Sequence, residues 1–254
     1  MMRSELGQFL VTRRSRRPSP TVGRRRTPGL RREEVAAAAA VSVDYYTRLE
    51  QGRENNPSNA VLSALAGPLA LDDDDLRYLR ALRDRGTVPR PESSALFAPR
   101  MQELVAAVRP NPAYVLDRFS DVIAINPEGA ELFSGLTDQA GSTANTCRYL
   151  LTDPRARSHF VDWEAVARRS VAALRAANAD ALDAPRLNSL VAELSEASDH
   201  FVRWWADQEV APRRAAEKRF REPDGTVLVY PYEVLHLEDH RARMTIYLAG
   251  RRCG

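Results

Sequence analysis

The chain has 254 residues, 44% of them hydrophobic and 28% charged, so it is long enough to fold as two domains with real cores. No apolar run approaches the roughly 20 residues of a membrane span, and the opening MMRSELGQFL lacks the apolar stretch of a signal peptide. Two distant cysteines, Cys147 and Cys253, make neither a disulfide framework nor a metal-binding spacing. Together these features predict a cytoplasmic protein with no membrane segment, cofactor or metal.

The net charge of +3 is unevenly distributed along the chain. Residues 1–53 contain 12 arginines and five acidic residues, a net charge of +7, which leaves −4 for the remainder. A basic end on a mildly acidic body favours a polyanionic partner for that end. Arginine suits bidentate contacts with phosphate and guanine. A GC-rich coding bias also raises the arginine content, but it does not account for the clustering.

The first predicted helix covers Ser4–Arg16 and ends before Pro18. Its inward face contains Leu6, Phe9 and Leu10. An acid-free basic loop follows, and two interpretations of its arginines stay open: phosphate contacts beside a DNA groove, or a solvated loop. The arginines of this region are Arg13, Arg14, Arg16, Arg17, Arg24, Arg25 and Arg26.

Residues 30–53 predict two short helices joined by a tight turn. Glu33 and Glu34 suit the positive end of the first helix. Ser42 is a good N-cap for the second helix, and Gly52 is a fitting residue just after its end. Such a pair is the helix-turn-helix unit, whose second helix enters the major groove of DNA. The spacing directs Tyr46 and Leu49 inward and Asp44, Tyr45, Thr47 and Arg48 outward.

Two further helices are predicted at Asn59–Leu69 and Asp73–Arg85. The first should stop or kink near Gly67-Pro68, because proline disrupts a helix interior. Their inward residues are predicted to be Val61, Leu62, Leu65, Leu69, Leu76, Leu79 and Leu82. Five helices therefore make up a predicted domain at residues 1–85. Residues 86–99, GTVPRPESSALFAP, are rich in Pro and Ser and predict a linker.

The stretch RRRTPGLRREEVA, together with VSVDYYTRLEQGR, resembles the helix-turn-helix of the XRE (Cro and phage-repressor-like) transcriptional regulators, and more narrowly their MmyB-like branch. The resemblance implies an all-α five-helix domain that binds double-stranded DNA, usually as a homodimer. Members of the branch usually have Leu-Leu-Ala-Gly where this chain has Ala37–Ala40. Ala40 must therefore take a turn position usual for glycine, and a positive φ there costs an alanine roughly 1 kcal/mol.

Residues 100–254 predict an α+β domain that begins with a helix at Arg100–Val108. An early β-hairpin is predicted from Ala113–Asp117 and Asp121–Asn126. Three later strands are predicted at Lys218–Arg221, Val227–Leu237 and Arg243–Leu248, with a hairpin turn at Asp224-Gly225. The helices between them are predicted at Pro127–Phe133, within Asn145–Phe160, and at Asp162–Asn178, Pro185–Ser198 and Asp199–Gln208.

The segments AYVLDRFSDVIAIN, LLTDPRARSHFVDWEAVARR and KRFREPDGTVLVYPYEVLHL resemble the ligand-binding domain of MmyB-like regulators. This resemblance implies a PAS-like fold with an antiparallel sheet. In that family the domain is implicated in holding a small apolar molecule, with a fatty acid as the leading candidate. The family pattern has Trp where Ser120 and Ile125 stand and His where Gln208 stands, so this chain departs from it in the pocket region.

The resemblance assigns roles to residues of the predicted helix-turn-helix. Arg31 and Arg32 would contact a phosphate at a helix N-terminus. Arg48 suits the O6/N7 pair of guanine, and the alternative for it is an ion pair with Asp44 four residues earlier. Val43 suits a thymine methyl, Asp44 a cytosine amino group or a bridging water, and Tyr45 the DNA backbone. The predicted DNA-binding set is Arg31, Arg32, Ser42, Val43, Asp44, Tyr45, Thr47, Arg48 and Arg53.

The predicted ligand-binding set consists of apolar and aromatic residues of the sheet and its covering helices. Each of them fits a packed hydrophobic core equally well, because a sequence does not reveal empty space. Arg219, Arg221 and His236 are candidates for holding a carboxylate at the rim. The set is Tyr114, Leu116, Ile123, Ile125, Phe133, Trp163, Trp205, Phe220, Tyr230 and Tyr247.

No catalytic or metal site is predicted. The four histidines are scattered, and His236 and His240 fall at a strand end, where their spacing does not converge on a metal. Nucleophile-elbow, phosphate-loop and dinucleotide-binding motifs are absent from the sequence. The sequence therefore predicts a nucleoid-associated transcriptional regulator that senses a small apolar ligand. The alternative is a regulator whose C-terminal domain is a protein-interaction or dimerisation module without a ligand.

Overall fold

The computed structural model describes residues 4–18, 29–84, 97–139, 143–212, 214–237 and 241–248, and the backbone of 251–252. The chain divides into two compact units, one of Met1–Pro89 with Ala179–Ala181 and the other of Arg90–Asn178 with Leu182–Gly254. The predictions for Arg24–Arg26, Arg85, His240, Cys253 and most of the 86–99 linker lie outside the described residues. No helix within the described ranges is long and apolar enough to cross a bilayer.

The described part of the N-terminal unit is helical, and serine or aspartate caps begin most of its helices. Ser4 Oγ accepts from the Gly7 N–H, and Ser42 Oγ accepts from the Tyr45 N–H, both at 3.1 Å. Ser58 and Asp72 cap two later helices in the same way. The helices are α1 (Glu5–Arg16), α2 (Arg32–Ala38), α3 (Val43–Gln51), α4 (Asn59–Leu69) and α5 (Asp73–Arg83).

The N-terminal core is built from one face of each helix. Phe9 of α1 meets Tyr78 of α5 with ring centroids 5.3 Å apart. Leu76, predicted to face inward, is only half-buried; Tyr78 is buried instead, since the inward stripe of α5 passes through 75, 78, 79 and 82. Helix α4 continues through Pro68 and ends at Leu69. The core also includes Leu6, Leu10, Val35, Tyr46, Leu49, Leu62, Leu65, Leu69, Leu79 and Leu82.

The turn between α2 and α3 is four residues long, from 39 to 42. Ala40 has a φ of +53°, a left-handed conformation that disfavours a β-carbon. The prediction that Ala40 occupies the glycine position of the turn is therefore confirmed. Gly52, with a φ of +70°, ends α3, and its amide donates to the carbonyl oxygens near the end of that helix.

The C-terminal unit opens with a helix that begins earlier than predicted. Helix α6 starts at Phe97, so the last three residues assigned to the linker are helical; Pro99 is tolerated there because amides of a first turn need no helical partner. The helices of this unit are α6 (Phe97–Ala107), α7 (Pro127–Leu132), α8 (Thr146–Thr152), α9 (Pro154–His159), α10 (Trp163–Ala177), α11 (Pro185–Ala197) and α12 (Asp199–Ala206).

The described strands form one antiparallel sheet in the order β2-β1-β5-β4-β3. The early hairpin and the three later strands are thus neighbours, and the predicted α+β fold class is confirmed. A short strand, β6, was not predicted and pairs with β4 at Leu228 and Val229. The strands are β1 (Ala113–Leu116), β2 (Val122–Ile125), β3 (Ala216–Arg221), β4 (Val227–Leu237), β5 (Ala242–Tyr247) and β6 (Arg251–Arg252).

The two faces of the sheet pack against different partners, because side chains alternate along each strand. One face meets α6 through an aliphatic cluster of Met101, Val105, Ala113, Val115, Ala124, Ala242 and Met244. The opposite face carries Tyr114 of β1, Phe220 of β3 and Tyr247 of β5. These rings contact Phe133, which follows α7, so this second face is aromatic.

Candidate functional site

The outward face of α3 is the first candidate site. Tyr46 and Leu49 are fully buried and fix the helix to its domain, whereas Val43 leaves 41% of its surface exposed. Ser42, Asp44, Arg48 and Arg53 are exposed, and Tyr45 and Thr47 are half-buried. Two consecutive turns of one helix thus offer a hydroxyl, an apolar group, a carboxylate and a guanidinium to a partner, which are the group types that read base edges and phosphates.

Arg48 forms the ion pair that was the alternative to base contact. Its Nη1 donates to Asp44 Oδ2, and its guanidinium lies over the Tyr45 ring at 5.8 Å from the centroid. Both partners of the ion pair are well exposed, so it contributes little to stability. An exposed pair of this kind is easily exchanged for a nucleic-acid contact.

A buried carboxylate supports the same helix from behind. Glu50 is fully buried, and its oxygens accept from Arg14 Nε at 2.5 Å and from Arg32 Nε at 2.6 Å. Burial opposes ionisation of Glu50, but the hydrogen bonds from Arg14 and Arg32 outweigh it and lower the pKa of this carboxyl. Arg32, predicted as a phosphate contact, therefore also joins α2 to α3, whereas Arg31 is exposed.

The second candidate site is the aromatic face of the C-terminal sheet. The Phe133 ring lies at its centre, with centroids of Tyr114, Phe220 and Tyr247 at 5.3, 5.7 and 5.4 Å. Tyr230 joins the edge of the group at 5.6 Å from Phe220. Five predicted ligand-binding residues thus come together, and Phe160 at the end of α9 adds a sixth ring. We call these six residues the aromatic cluster.

Lys218 lies within this cluster and was missed by sequence reasoning. It is only 6% exposed, and its Nζ donates to the Tyr247 hydroxyl at 2.5 Å. The Tyr247 hydroxyl in turn lies 3.3 Å from that of Tyr114. The signal that could have revealed it is the strand alternation, since Lys218 stands two residues before Phe220 and shares its face.

The other predicted ligand-binding residues have different surroundings. Leu116 and Ile125 share the sheet face of Tyr114. Ile123 instead packs on the α6 cluster of the opposite face, although it is two residues from Ile125, because the β1–β2 pairing shifts register there: Val115 pairs with Ala124 and Leu116 with Val122. Trp163 contacts His200 and Trp204 and donates to the Leu150 carbonyl, while Trp205 stacks on Phe201 and Arg175. These two tryptophans therefore serve helix packing.

The candidate rim residues do not converge on the aromatic cluster. Arg219 is on the outward face of β3 and pairs with Asp162, with Nε to Oδ2 at 2.7 Å. Arg221 and His236 are exposed. In the described part of the chain, no group of histidine, cysteine, aspartate and glutamate side chains is arranged to hold a metal ion.

Both sites agree with similarities to known domain families. Residues 5–79 match a helix-turn-helix domain, and residues 97–252 match the MmyB-like transcription regulator ligand binding domain. No curated protein matches the chain. Fold and sites together define a DNA-binding transcription regulator with an N-terminal helix-turn-helix and a C-terminal ligand-binding domain. The chain belongs to the family of MmyB-like transcription regulators.

Proposed function

We propose that this regulator is of the XRE type and reads double-stranded DNA with the outward face of α3. Arg48 contacts guanine, Val43 a thymine methyl, and Arg31 and Arg53 contact phosphates. The observation that carries the proposal is the division of α3 into a buried face with Tyr46 and Leu49 and an exposed face of base-reading groups.

The same proposal includes a homodimer, a domain boundary and a cellular location. Regulators of this kind bind two half-sites about 34 Å apart, so an operator with two-fold symmetry is expected. The DNA-binding domain spans residues 1–85, the linker 86–99 and the ligand-binding domain 100–254. The protein works in the cytoplasm on the nucleoid.

Fluorescence anisotropy with labelled duplexes tests DNA binding. The expected result is binding at low ionic strength that weakens as salt is added, because basic side chains displace counterions from phosphates. A duplex selected from random sequence should outcompete its scrambled counterpart. Failure to bind any duplex at low salt would contradict the proposal.

We further propose that the C-terminal domain binds a fatty acid at the aromatic cluster. The support is the grouping of six rings, four on one sheet face and two, Phe133 and Phe160, from the ends of the helices packed on it, which together form an apolar surface that suits an acyl chain. The rings pack against one another, so a ligand enters by displacing them. Phe133 lies at the centre of the cluster, so its ring contacts are the ones that a bound acyl chain replaces.

Tryptophan fluorescence tests ligand binding, because all three tryptophans (Trp163, Trp204 and Trp205) lie in the C-terminal unit. Thermal unfolding is followed with saturated fatty acids of increasing chain length. A ligand that binds only the folded state raises the midpoint, and we expect an optimum chain length. A constant midpoint across the series would remove the fatty acid from the proposal.

A dimerisation or protein-interaction role is the second candidate for this domain. Leu235 in β4 and Leu248 just after β5 leave 49% and 42% of their surfaces exposed, which favours contact with another protein. Mass spectrometry of the purified protein separates the two functions. Co-purified lipid supports the ligand sensor, whereas a dimer that contains no lipid and is broken by Leu235→Asp supports the interaction module.

A further inference from the structure

Lys218 is the one lysine in a chain with 36 arginines. A coding bias toward arginine explains why lysine is rare, but it makes the retained lysine more informative. Lysine carries a compact ammonium group at the end of a flexible stem, whereas arginine carries a broad planar fork. The position of Lys218 should therefore be one that needs a small, buried point charge.

The ammonium group of Lys218 is surrounded by aromatic rings. Its Nζ lies 5.4 Å from the ring centroid of Phe133, 5.1 Å from that of Tyr232 and 5.2 Å from that of Tyr247. Phe160 is slightly farther, at 5.9 Å. The negative faces of such rings attract a cation, so they oppose the cost of removing this ammonium group from water.

Two tyrosine hydroxyl groups add to the polar groups around Nζ of Lys218. Tyr247 accepts from Nζ, and its oxygen lies 3.3 Å from the hydroxyl oxygen of Tyr114. An ammonium and two phenol groups thus gather on the inner sheet face, beside the rings that suit an acyl chain. A donor group next to an apolar surface is the arrangement that binds an amphiphile with an anionic head.

We propose that Lys218, with the hydroxyls of Tyr247 and Tyr114, binds the carboxylate head of an apolar-chain monocarboxylic acid. This inference rests on the proposed ligand binding and adds the residue that reads the charge. The carboxylate accepts from Nζ, and the chain replaces ring contacts of Phe133. Because the surroundings are apolar, this charge-assisted hydrogen bond is stronger than it would be in water.

The one lysine is a single-site probe for NMR spectroscopy. Lysine enriched with carbon-13 at Cε gives one side-chain signal, that of Lys218. The full-length protein is titrated with dodecanoate and, separately, with dodecanol, which has the same chain and no charge. Dodecanoate should shift the Lys218 signal saturably. Dodecanol should bind about tenfold or more weakly by calorimetry, the ratio expected for the loss of one charge-assisted hydrogen bond.

Two variants make the test specific. Lys218→Met keeps the length and apolar stem, and methionine packs well against rings, so the fold should persist. In this variant the preference for dodecanoate over dodecanol should fall to near one. Arg219→Met removes a positive charge from the next residue of β3, which faces outward toward Asp162, and should leave the preference unchanged.

The outcomes distinguish failure of the Lys218 inference from failure of the fatty-acid proposal. If dodecanoate binds but the Lys218 signal is unmoved, or if Lys218→Met retains the preference, then the head group lies elsewhere and only this inference fails. If neither amphiphile binds the unmodified protein, the fatty-acid proposal and this inference fail together.

Discussion

Arg14 and Glu50 form a bidentate ion pair on the buried side of α3, with Nε to Oε1 at 2.5 Å and Nη2 to Oε2 at 3.2 Å. Arg32 adds a contact of 2.6 Å to the same Oε2. Since Arg14 belongs to α1, Arg32 to α2 and Glu50 to α3, one buried carboxylate joins three helices. The orientation of the exposed face of α3 therefore depends on the buried carboxylate of Glu50, which is not part of the proposed DNA-binding surface.

Replacing this carboxylate should destabilise the N-terminal unit. Glu50→Gln leaves two guanidinium groups beside a neutral amide, and breaking a buried ion pair costs about 3–5 kcal/mol, of which the retained amide oxygen recovers a part. Far-UV circular dichroism should show part of the helix signal melting earlier. Tryptophan fluorescence reports only the C-terminal unit and should be unaltered. Asp44→Asn, on the exposed face of α3, is the matched control and should change neither signal.

The pH dependence of this stabilisation has a definite sign. The pKa of Glu50 is lowered from 4.5 in the folded protein, so its stabilisation is present above that pH and is lost as the pH falls through the folded value. The difference in unfolding free energy between wild type and Glu50→Gln should therefore shrink below about pH 4.5. Burial raises the pKa of Asp75, an opposite effect that is common to both proteins and cancels in the difference.

The sequence revealed the helix-turn-helix because its signals are local. Ser42, Gly52 and the spacing of Tyr46 and Leu49 each act within a turn or two of one helix. The role of Glu50 was not predictable in this way, because Arg14 is 36 residues distant along the chain. A charged residue beside an apolar stripe is ordinarily a solvated neighbour, and only the folded arrangement places it inside.

Ala40 should be a site of easy stabilisation. Its φ of +53° strains an alanine but not a glycine. Ala40→Gly should therefore raise the unfolding free energy of the N-terminal unit by about 0.5–1 kcal/mol, after the greater backbone freedom of unfolded glycine is subtracted. Urea unfolding monitored by circular dichroism measures the change.

The control for this prediction is Ala37→Gly. Ala37 is exposed within α2, where glycine costs about 0.5–1 kcal/mol relative to alanine. The two substitutions are chemically identical and three residues apart, so opposite signs would isolate the backbone conformation as the cause. Destabilisation by both would show that Ala40 is not strained.

Sequence specificity and general DNA affinity should depend on different arginines. Arg48→Ala should relax the preference between the selected and scrambled duplexes, by about 1–3 kcal/mol, because a bidentate contact to guanine is lost. Arg31→Ala should weaken binding to both duplexes similarly and reduce the salt dependence. Anisotropy titrations at several salt concentrations measure both effects.

Arg32→Ala should also weaken binding to all duplexes, but it removes one partner of Glu50 and so mixes two effects. Arg31 is exposed and gives the cleaner test of a phosphate contact. If Arg48→Ala keeps the preference of the wild type, then Arg48 stays paired with Asp44 in the complex, and another residue reads the sequence.

The C-terminal site shows a second limit of sequence reasoning. Aromatic residues of the strands were recognised as a group, and Tyr114, Phe220 and Tyr247 do meet. Trp163 and Trp205 are large and apolar, which suits a ligand site, yet both pack against neighbouring helical residues. Lys218 is not predictable as a site residue, because a lysine in a strand is usually exposed. Its burial depends on which face of β3 meets the helices, and that is decided by distant contacts.

Asp117, at the turn between β1 and β2, should make the C-terminal unit less stable as the pH rises. Burial and the nearby Asp121 carboxylate raise the pKa of Asp117 from 3.8 to about 6. A raised pKa contributes stability that is complete below 3.8 and is lost as the pH rises through about 6. Oδ1 accepts from the backbone amides of Phe119 and Asp121, both at 2.8 Å, and an asparagine oxygen at that position can do the same.

Asp117→Asn should therefore match the wild type near pH 4 and exceed it at neutral pH by about 1–3 kcal/mol, the scale set by a pKa change of this size. Urea unfolding followed by tryptophan fluorescence at several pH values measures this gap, because the tryptophans lie in the same unit. Asp183→Asn removes an exposed carboxylate from that unit and should leave the pH profile unaltered. Parallel profiles for Asp117→Asn and wild type would mean that Asp117 ionises normally. Arg243, which donates to the backbone carbonyl oxygen of Asp117 at 3.3 Å, would then offset the effect of burial on the pKa of Asp117.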